Sequence, residues 1–339
     1  MTHSMNFEPL AEVYRGKNIA GELVDPQLES IHMGVFAAVD ANGEVLLSRG
    51  NIHWKTYIRS AAKPIQILPL LESGGIEHFH FTPRECAIFC ASHNGEPAHV
   101  ETVRAILQKI GLNESHLQCG AHAPSHAPAA EELIRKGEMF TALHNNCSGK
   151  HAGMLASCVR KKYDVENYLD LEHPLQLEVL EFIQKFSGSS DVFRGTDGCS
   201  APVFQLEIFQ MAKIFAHLAA GKNPLLERSF SMMRADPFMI GGTNRFDTDL
   251  MLNSDVVGKV GGEGIHCVGI PEREDRPAIG IAVKIADGNF RALYPVVVSL
   301  LRKFSVLTDQ QLQNLSYYEQ TPLKNHRKKK IGFIRSVQI

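Results

Sequence analysis

The first part of the chain alternates apolar and polar positions in the manner of β-strands. Residues 31–48 form two strand-like runs around the segment Asp40-Ala41-Asn42-Gly43. An Asn-Gly pair is typical of a tight hairpin turn, because the central residues of that turn adopt positive φ values. The pattern therefore predicts an antiparallel pair of strands in this region.

After this hairpin, the spacing of apolar residues becomes helical. Residues 60–71 carry apolar side chains at helical intervals, with Ser60 placed like a cap or first-turn residue and Pro64 tolerated near the helix start. Further helical patterns are bounded by Gly, Pro or polar clusters. They cover residues 97–110, 129–136, 151–161, 174–186 and 202–219.

The last third of the chain returns to strand-like runs. These are residues 264–270, 277–286 and 288–298, the last of which follows an Asp287-Gly288 turn signal. The order strands, helices, strands predicts an α+β (mixed) fold, with one sheet built from both chain ends. We expect residues 1–339 to form a single domain with a helix-rich middle at about residues 97–220.

Composition limits the classes of partner. The 339 residues include 35 basic and 37 acidic side chains, so the net charge of -2 supplies no field that would attract nucleic acid or an anionic membrane. Residues 1–17 have no uninterrupted apolar core, and no later stretch approaches the length of a membrane span. We therefore expect a small polar substrate, no nucleic acid or membrane partner, and a cytoplasmic location.

Seven cysteines are scattered along the chain. Their odd number and wide spacing differ from the dense disulfide framework of a small secreted domain. We expect reduced thiols, some of them able to bind a metal.

A serine and a lysine stand three residues apart at Ser60 and Lys63. In a helix this spacing places both side chains on one face. A lysine can deprotonate a serine only where burial or a neighbouring cation, here Arg59, lowers the lysine pKa. The pair is a candidate for Ser-Lys acyl transfer, although a chain of this composition also contains such a spacing by chance.

Other segments offer further candidate groups. Ser92 and His93 lie in a polar loop after an apolar run, where catalytic groups are often held, but a capped turn before the next helix explains the same residues. Lys284 lies in a strand-like run, where an isolated lysine is normally solvated.

Thiols and a lysine form a possible metal site. Cys147 and Lys150 would share the first turn of a helix, and Asp197 and Cys199 lie in a distant glycine-flanked loop. Two thiolates can hold Zn²⁺, and Lys150 can bind it only as the neutral amine. Cys158 and Lys161 have the same spacing where no site is expected, so the spacing alone leaves both readings open.

Taken together and in order, these motifs resemble the asparaginase II family, the rhizobial-type class 3 L-asparaginases. The resemblance extends to the closing segment Gly332-Phe333-Ile334-Arg335. It rests on the segments Leu10-Ala11-Glu12-Val13-Tyr14-Arg15-Gly16, Arg59-Ser60-Ala61-Ala62-Lys63-Pro64, Ser92-His93-Asn94-Gly95-Glu96-Pro97, Asn146-Cys147-Ser148-Gly149-Lys150-His151 and Asp197-Gly198-Cys199.

The resemblance implies a fold and a set of residue roles. The fold is a sandwich of helices around a largely antiparallel sheet, related to serine β-lactamases and glutaminases, and the family forms homodimers. The residues that it implies are Ser60 and Lys63 as one catalytic pair, Ser92 and Lys284 as a second pair with Lys259 as the alternative lysine, Cys147, Lys150 and Cys199 with water as ligands of Zn²⁺, and Asp197 as a nearby hydrogen-bond acceptor with His151 close by. The candidates for substrate binding are Arg59, His93, Asn146 and Asp197 together with the metal, because a zwitterion needs both charge signs in a fixed geometry; which group binds which end of the substrate stays open.

The predicted function is hydrolysis of L-asparagine to L-aspartate and ammonia, a reaction of asparagine catabolism. Ser60 would attack the amide carbon, Lys63 would take its proton, and zinc would help to place the substrate. Two alternatives stand beside this reading. One is a penicillin-recognising or other acyl-serine hydrolase, although no Lys-Thr-Gly or Ser-Asp-Asn triplet accompanies the serine. The other is a non-catalytic scaffold stabilised by zinc.

Overall fold

A computed structural model describes residues 6–339, so the first five residues of the N-terminal stretch lie outside the described part. No helix in the described residues is long and apolar enough to cross a membrane. The strands are β1 Glu8–Ile19, β2 Glu22–Asp40, β3 Val45–Arg49, β4 Lys55–Tyr57, β5 Arg194–Thr196, β6 Pro202–Glu207, β7 Val257–Gly261, β8 Ile265–Ile270, β9 Ile279–Ile285, β10 Gln320–Lys324 and β11 Lys330–Ser336.

Eight of these strands form one sheet from the two ends of the chain. The strand order is β10-β11-β1-β2-β9-β8-β7, and β3 pairs with the second half of β2. Every pairing is antiparallel. The predicted hairpin around Asn42-Gly43 is confirmed as the β2–β3 pair, with Gly43 at φ 89°. A separate three-stranded sheet has the order β4-β6-β5.

Helices fill the chain between the strands of the main sheet. They are α1 Lys63–Gln66, α2 Leu68–Glu72, α3 Gly75–His78, α4 Pro83–Ile88, α5 Pro97–Lys109, α6 Ala127–Lys136, α7 Ser148–Lys161, α8 Pro174–Ser187, α9 Ile208–Ala219, α10 Pro224–Ala235, α11 Pro237–Ile240, α12 Phe246–Leu252, α13 Phe290–Lys303, α14 Asp309–Asn314 and α15 Ser316–Glu319, with 3₁₀ helices at Arg59–Ala62, Glu114–His116 and Ala142–His144.

The central part of the main sheet is buried on both faces, whereas the end of the β1–β2 pair around residues 15–30 is exposed. Because side chains alternate along a strand, Val35 and Ala37 of β2 enter the core shared with the helical middle, whereas Phe36 and Ala38 enter the core shared with α13. Helix α9 lies directly on the sheet at Gly280, where an added Cβ would come within 1.8 Å of the Ala212 carbonyl oxygen. The arrangement confirms the predicted α+β class.

Two predicted elements were wrong in type. Residues 202–207 were predicted as helix but form β6. Helix α9 begins at the next residue, because Glu207 and Gln210 form a capping box at its N-terminus. Residues 288–298 were predicted as strand but lie largely in α13. The side chain of Asn289 caps α13 by accepting from the Arg291 backbone, and the buried residues of α13 recur at helical intervals.

The predicted helix at residues 60–71 is broken into three short pieces. The 3₁₀ helix Arg59–Ala62 is followed by α1 and α2, each with a proline in its first turn. Proline lacks an N–H and cannot continue a hydrogen-bonded helix, so a new piece begins at each one. This break sets the directions in which Ser60 and Lys63 point.

Candidate active site

A cavity of about 530 Å³ opens where the helical middle meets the edge of the main sheet. Residues from distant parts of the chain line it, and most are polar or charged. They include Arg59, Ser60, Ser92, His122, Asn145, Asn146, Cys147, Asp197, Cys199, Arg245, Phe290 and Tyr294. The predicted residues of the first serine motif, the second serine loop and the thiol segments therefore meet in one place.

Ser92 lies between two buried lysines. The amines of Lys63 and Lys259 are each 2.9 Å from the Ser92 hydroxyl oxygen. Both lysine side chains are fully buried, and Ser92 is 4% exposed. Lys63 also donates to the carbonyl of Ala91. The hydroxyl of Ser92 is therefore within proton-transfer distance of two amines.

The environment of Lys259 lowers its proton affinity. Burial lowers the pKa of this lysine to about 7, although the Asp247 carboxylate acts in the opposite direction. The Asp247 carboxylate lies 3.6 Å from the amine and accepts hydrogen bonds from the His266 ring at 2.8 Å and the Val260 backbone at 3.0 Å. A lysine with a pKa near 7 can act as a general base at neutral pH.

Ser60 is half-buried on the cavity wall. Its neighbour Arg59 has a left-handed backbone conformation, with φ 54°, and an ion pair between Arg59 Nε and Asp197 Oδ1 at 2.9 Å holds that side chain. The Ile58 backbone is tied to Phe204 of β6, so the serine turn is anchored on the small sheet. No hydrogen bond joins the Ser60 side chain to another described residue, and Lys63 contacts Ser92 instead.

The predicted metal ligands come together at the cavity edge. Lys150 Nζ lies 3.1 Å from Cys199 Sγ. A hydrogen bond from the Cys147 thiol, together with the Lys150 charge, lowers the pKa of Cys199 to about 4. Burial disfavours the charged form of Lys150, but the nearby Cys199 thiolate outweighs this effect and raises the lysine pKa.

The donor set fits zinc, because two thiols and an amine converge and one thiol is already stabilised as the thiolate. Within residues 6–339, no cluster of three or more His, Cys, Asp or Glu side chains is placed to hold a metal ion. A site here therefore depends on Lys150 as the third protein ligand.

Two predicted residues lie elsewhere. Lys284 does not reach Ser92: its amine donates to the Glu263 carbonyl and lies 6.0 Å from the centre of the Trp54 ring, so Lys259, the alternative, occupies the position beside the second serine. His93 is fully buried behind the cavity wall, where Nε2 contacts Ser148 Oγ at 2.9 Å and Nδ1 accepts from the Gly95 backbone. Its ring is not free to contact a substrate in the cavity.

Four residues of the site, Asp247, His266, Arg245 and Tyr294, were not predicted from the sequence. Neither Asp247 nor His266 belongs to a motif: Asp247 lies among other polar residues at a helix start, and His266 is one polar residue in an apolar segment. Arg245 follows the turn-like segment Gly241-Gly242-Thr243-Asn244, which was the one available signal of a polar loop at a helix start. Tyr294 lies in the segment that was predicted as strand.

The family model of L-asparaginase II matches residues 24–336. The match covers nearly the whole chain and identifies its class as amidohydrolase. The chain belongs to the L-asparaginase II family, which confirms the family predicted from the ordered motifs. Among curated proteins, none matches the chain significantly.

Several solved structures resemble the chain at low sequence identity. Mglu in its native form is 12% identical, with a TM-score of 0.45, and the match covers 81% of this chain and 64% of Mglu. The chain thus spans less than two thirds of the length of Mglu. The Bacillus subtilis glutaminase YbgJ, in covalent complex with 5-oxo-L-norleucine, is 16% identical, with a TM-score of 0.39 and coverage of 81% and 88%. A probable glutaminase from Bacillus subtilis is 11% identical, with a TM-score of 0.38 and coverage of 81% and 85%.

Proposed function

We propose that the protein hydrolyses the side-chain amide of L-asparagine to L-aspartate and ammonia through an acyl-serine intermediate. The observation that carries the proposal is the pair of amines on the Ser92 hydroxyl, in a cavity that Ser60 also lines. Family membership supports amide hydrolysis. The polar cavity suits a small zwitterion better than an apolar ligand.

The Ser60 hydroxyl is the proposed nucleophile, because it is open to the cavity and has no competing hydrogen bond to a described residue. Neutral Lys259 accepts a hydrogen bond from the Ser92 hydroxyl, which in turn accepts from Lys63. In the proposed relay, the Ser60 proton passes by way of Lys63 and Ser92 to neutral Lys259 as the Ser60 hydroxyl attacks the amide carbon. That proton then leaves with ammonia, and water hydrolyses the ester to aspartate and restores Ser60.

Substrate groups are matched to the cavity by charge. Among the described residues that line the cavity, Asp197 is the only acidic one, and it is the proposed partner of the substrate's α-ammonium group. Arg59 already pairs with Asp197, so it positions that carboxylate. Asn146 lies on the same wall and can donate or accept a hydrogen bond.

Replacing Ser60 tests the nucleophile. Ser60→Ala should lower kcat for ammonia release from L-asparagine at least about 1,000-fold, because no other hydroxyl would then attack from the same position. Mass spectrometry of wild-type enzyme quenched in acid during turnover should find the aspartyl adduct on the peptide that contains Ser60. The exposed residue Ser115 supplies the control Ser115→Ala, which should keep full activity. An adduct on Ser92, or full activity in Ser60→Ala, would remove Ser60 from this role.

The pH dependence tests Lys259. Because Lys259 must be neutral to accept a proton, kcat/KM should fall tenfold per pH unit below about 7, the pKa to which burial lowers this lysine. The Asp247 charge raises that pKa, so Asp247→Asn should move this limb of the profile to lower pH. Asp255→Asn, at an exposed carboxylate paired with Arg273, is the control and should leave the limb in place. A limb that does not move in Asp247→Asn would exclude Lys259 as the titrating group.

We also propose that the protein holds Zn²⁺ through Cys147, Lys150 and Cys199. The support is the convergence of these three donors and the thiolate character of Cys199. A bound zinc would supply positive charge at the cavity edge, which favours an anionic part of the substrate. No step of the proposed serine chemistry requires it.

Metal analysis tests the zinc site. The purified protein should contain one zinc per chain by inductively coupled plasma mass spectrometry, and Lys150→Met and Cys199→Ser should both lose it. Lys161→Met is the matched control, because Lys161 has the same spacing from Cys158 but pairs with Glu178 at 2.6 Å. Full zinc content in Lys150→Met would exclude the lysine as a ligand.

A homodimer in the cytoplasm is the further expectation from the family. Apolar side chains on the β1–β2 hairpin are about half exposed, at Ile19 55%, Leu28 50% and Ile31 45%, and they offer a contact surface. All seven cysteines are free and buried, as expected in a reducing compartment. Light scattering should give a mass near twice 37.6 kDa, and Leu28→Glu should reduce it. A monomer mass for the wild type at micromolar concentration would exclude the dimer.

A further inference from the structure

One cation of the cavity has no partner in the described part of the chain. Arg59 pairs with Asp197, and Lys259 lies beside Asp247. Arg245 also lines the cavity, yet its guanidinium forms neither an ion pair nor a hydrogen bond with any residue of the range 6–339. A half-buried guanidinium without a partner is suited to bind an anionic group from outside the protein.

The carboxylate of Glu96 is hydrogen-bonded to Thr243, two residues before Arg245, and not to Arg245 itself. Arg245 also lines a second hollow together with Thr243. Glu96 is held there by Thr243, accepting from its backbone at 2.8 Å and from its hydroxyl at 2.9 Å. Neither oxygen of Glu96 is hydrogen-bonded to the Arg245 guanidinium, which remains available to the cavity.

The fold ties Arg245 to the serine loop. The backbone of Ser92 donates to the Ile240 carbonyl at 2.9 Å, and that of Asn94 donates to the Gly241 carbonyl at 2.9 Å. Gly242, at φ 106°, packs so closely on Asn94 that an added Cβ would come within 2.3 Å of its Oδ1. The segment that carries Arg245 is therefore fixed relative to Ser92.

The start of α12 fixes the arginine itself. Arg245 is the residue before the first turn, and its carbonyl accepts from the Asp249 backbone at 3.0 Å. Beside it, Phe246 stacks on the Tyr294 ring at 4.6 Å, and Tyr294 lines the same cavity. The guanidinium charge is also close enough to contribute to lowering the pKa of Lys259. Arg245 thus stands at the rim of the site where amide chemistry is proposed.

We propose that Arg245 binds the α-carboxylate of the substrate and thereby selects free amino acid amides over amides within a peptide or with a blocked carboxyl group. The assignment rests on the proposed hydrolysis of asparagine. A planar guanidinium matches the two carboxylate oxygens with parallel hydrogen bonds, which fixes the orientation of the amide as well as its affinity. Asp197, on the same cavity wall, then remains for the ammonium group.

The test pairs a change in the enzyme with a change in the substrate. Ammonia release is measured with L-asparagine and with L-aspartic acid diamide, which carries an uncharged amide in place of the α-carboxylate. Arg245→Ala should lower kcat/KM for asparagine by about 10- to 150-fold, the value expected for hydrogen bonds to a charged group, mainly through KM. The same variant should change kcat/KM for the diamide by less than about threefold, because that substrate has no carboxylate to lose.

Three further measurements distinguish loss of carboxylate binding from a general loss of activity. Guanidinium ion added to Arg245→Ala should restore part of the activity on asparagine and none on the diamide. Arg245→Lys should retain an intermediate preference, since lysine keeps the charge but not the planar pair of donors. Arg135→Ala removes an exposed arginine paired with Glu132 and should leave both substrates unaffected.

Each remaining outcome counts against a defined claim. An equal loss on both substrates, or no loss on asparagine, would overturn the role of Arg245. If wild-type protein releases no ammonia from asparagine, the proposed function fails. In that case, calorimetry with L-aspartate and its α-amide, L-isoasparagine, tests separately whether Arg245 binds the α-carboxylate. Tighter binding of L-aspartate that disappears in Arg245→Ala and is reduced in Arg245→Lys supports the carboxylate site. Equal binding of both ligands by the wild type overturns it.

Discussion

The amines of Lys63 and Lys259 each lie 2.9 Å from the Ser92 hydroxyl oxygen, with both lysines fully buried. A charge on Lys259 is opposed by its burial and by repulsion from the Lys63 charge. These effects outweigh the attraction of the Asp247 carboxylate and lower the pKa of Lys259 to about 7. The lowered pKa of Lys259 is therefore a direct consequence of how the core is packed, and the proposed base is produced by burial.

The surrounding fold limits how far the pKa of Lys259 is lowered. Asp247 is buried and its pKa is held below the usual range: burial acts to raise it, but the nearby Lys259 charge and the His266 hydrogen bond outweigh burial. A single carboxylate 3.6 Å from Lys259 keeps the pKa near neutrality. Without it, the lysine would be a weaker base, and with a second carboxylate it would remain protonated. The position of α12, which carries Asp247, thus controls the chemistry available at Ser92.

Several features could be predicted from the sequence because they depend on local pattern. The Asn42-Gly43 hairpin and the strands near residues 264–270 and 277–286 follow from turn residues and alternation. The type of the segment 288–298 could not be read in this way, because its valines favour a strand locally. Packing against the sheet favours a helix there instead, and Leu293, Val296 and Val297 are buried at helical spacing.

The contacts within the candidate active site were harder to predict, because they also depend on tertiary packing. Ser60 and Lys63 share a face only in a continuous helix, and the proline-directed break at the start of α1 turns Lys63 towards Ser92, 29 residues further along the chain. Contacts of this kind depend on tertiary packing. A motif can bring the right residues to attention, as it did for both serines, but it does not determine which amine meets which hydroxyl.

The choice between Lys259 and Lys284 cannot be made from the sequence pattern alone. In the sheet, Lys259 of β7 is in register with Cys267 of β8, and Cys267 is in register with Ala282 of β9. Lys284 is two residues beyond Ala282 and therefore points to the same face of the sheet. Alternation cannot separate two lysines on one face. A displacement of two residues along the strand, about 7 Å, and of two strands across the sheet, about 10 Å, places one amine on Ser92 and leaves the other at the Glu263 carbonyl. That displacement is set by the register of three strands, which follows from long-range pairing and is absent from any local motif.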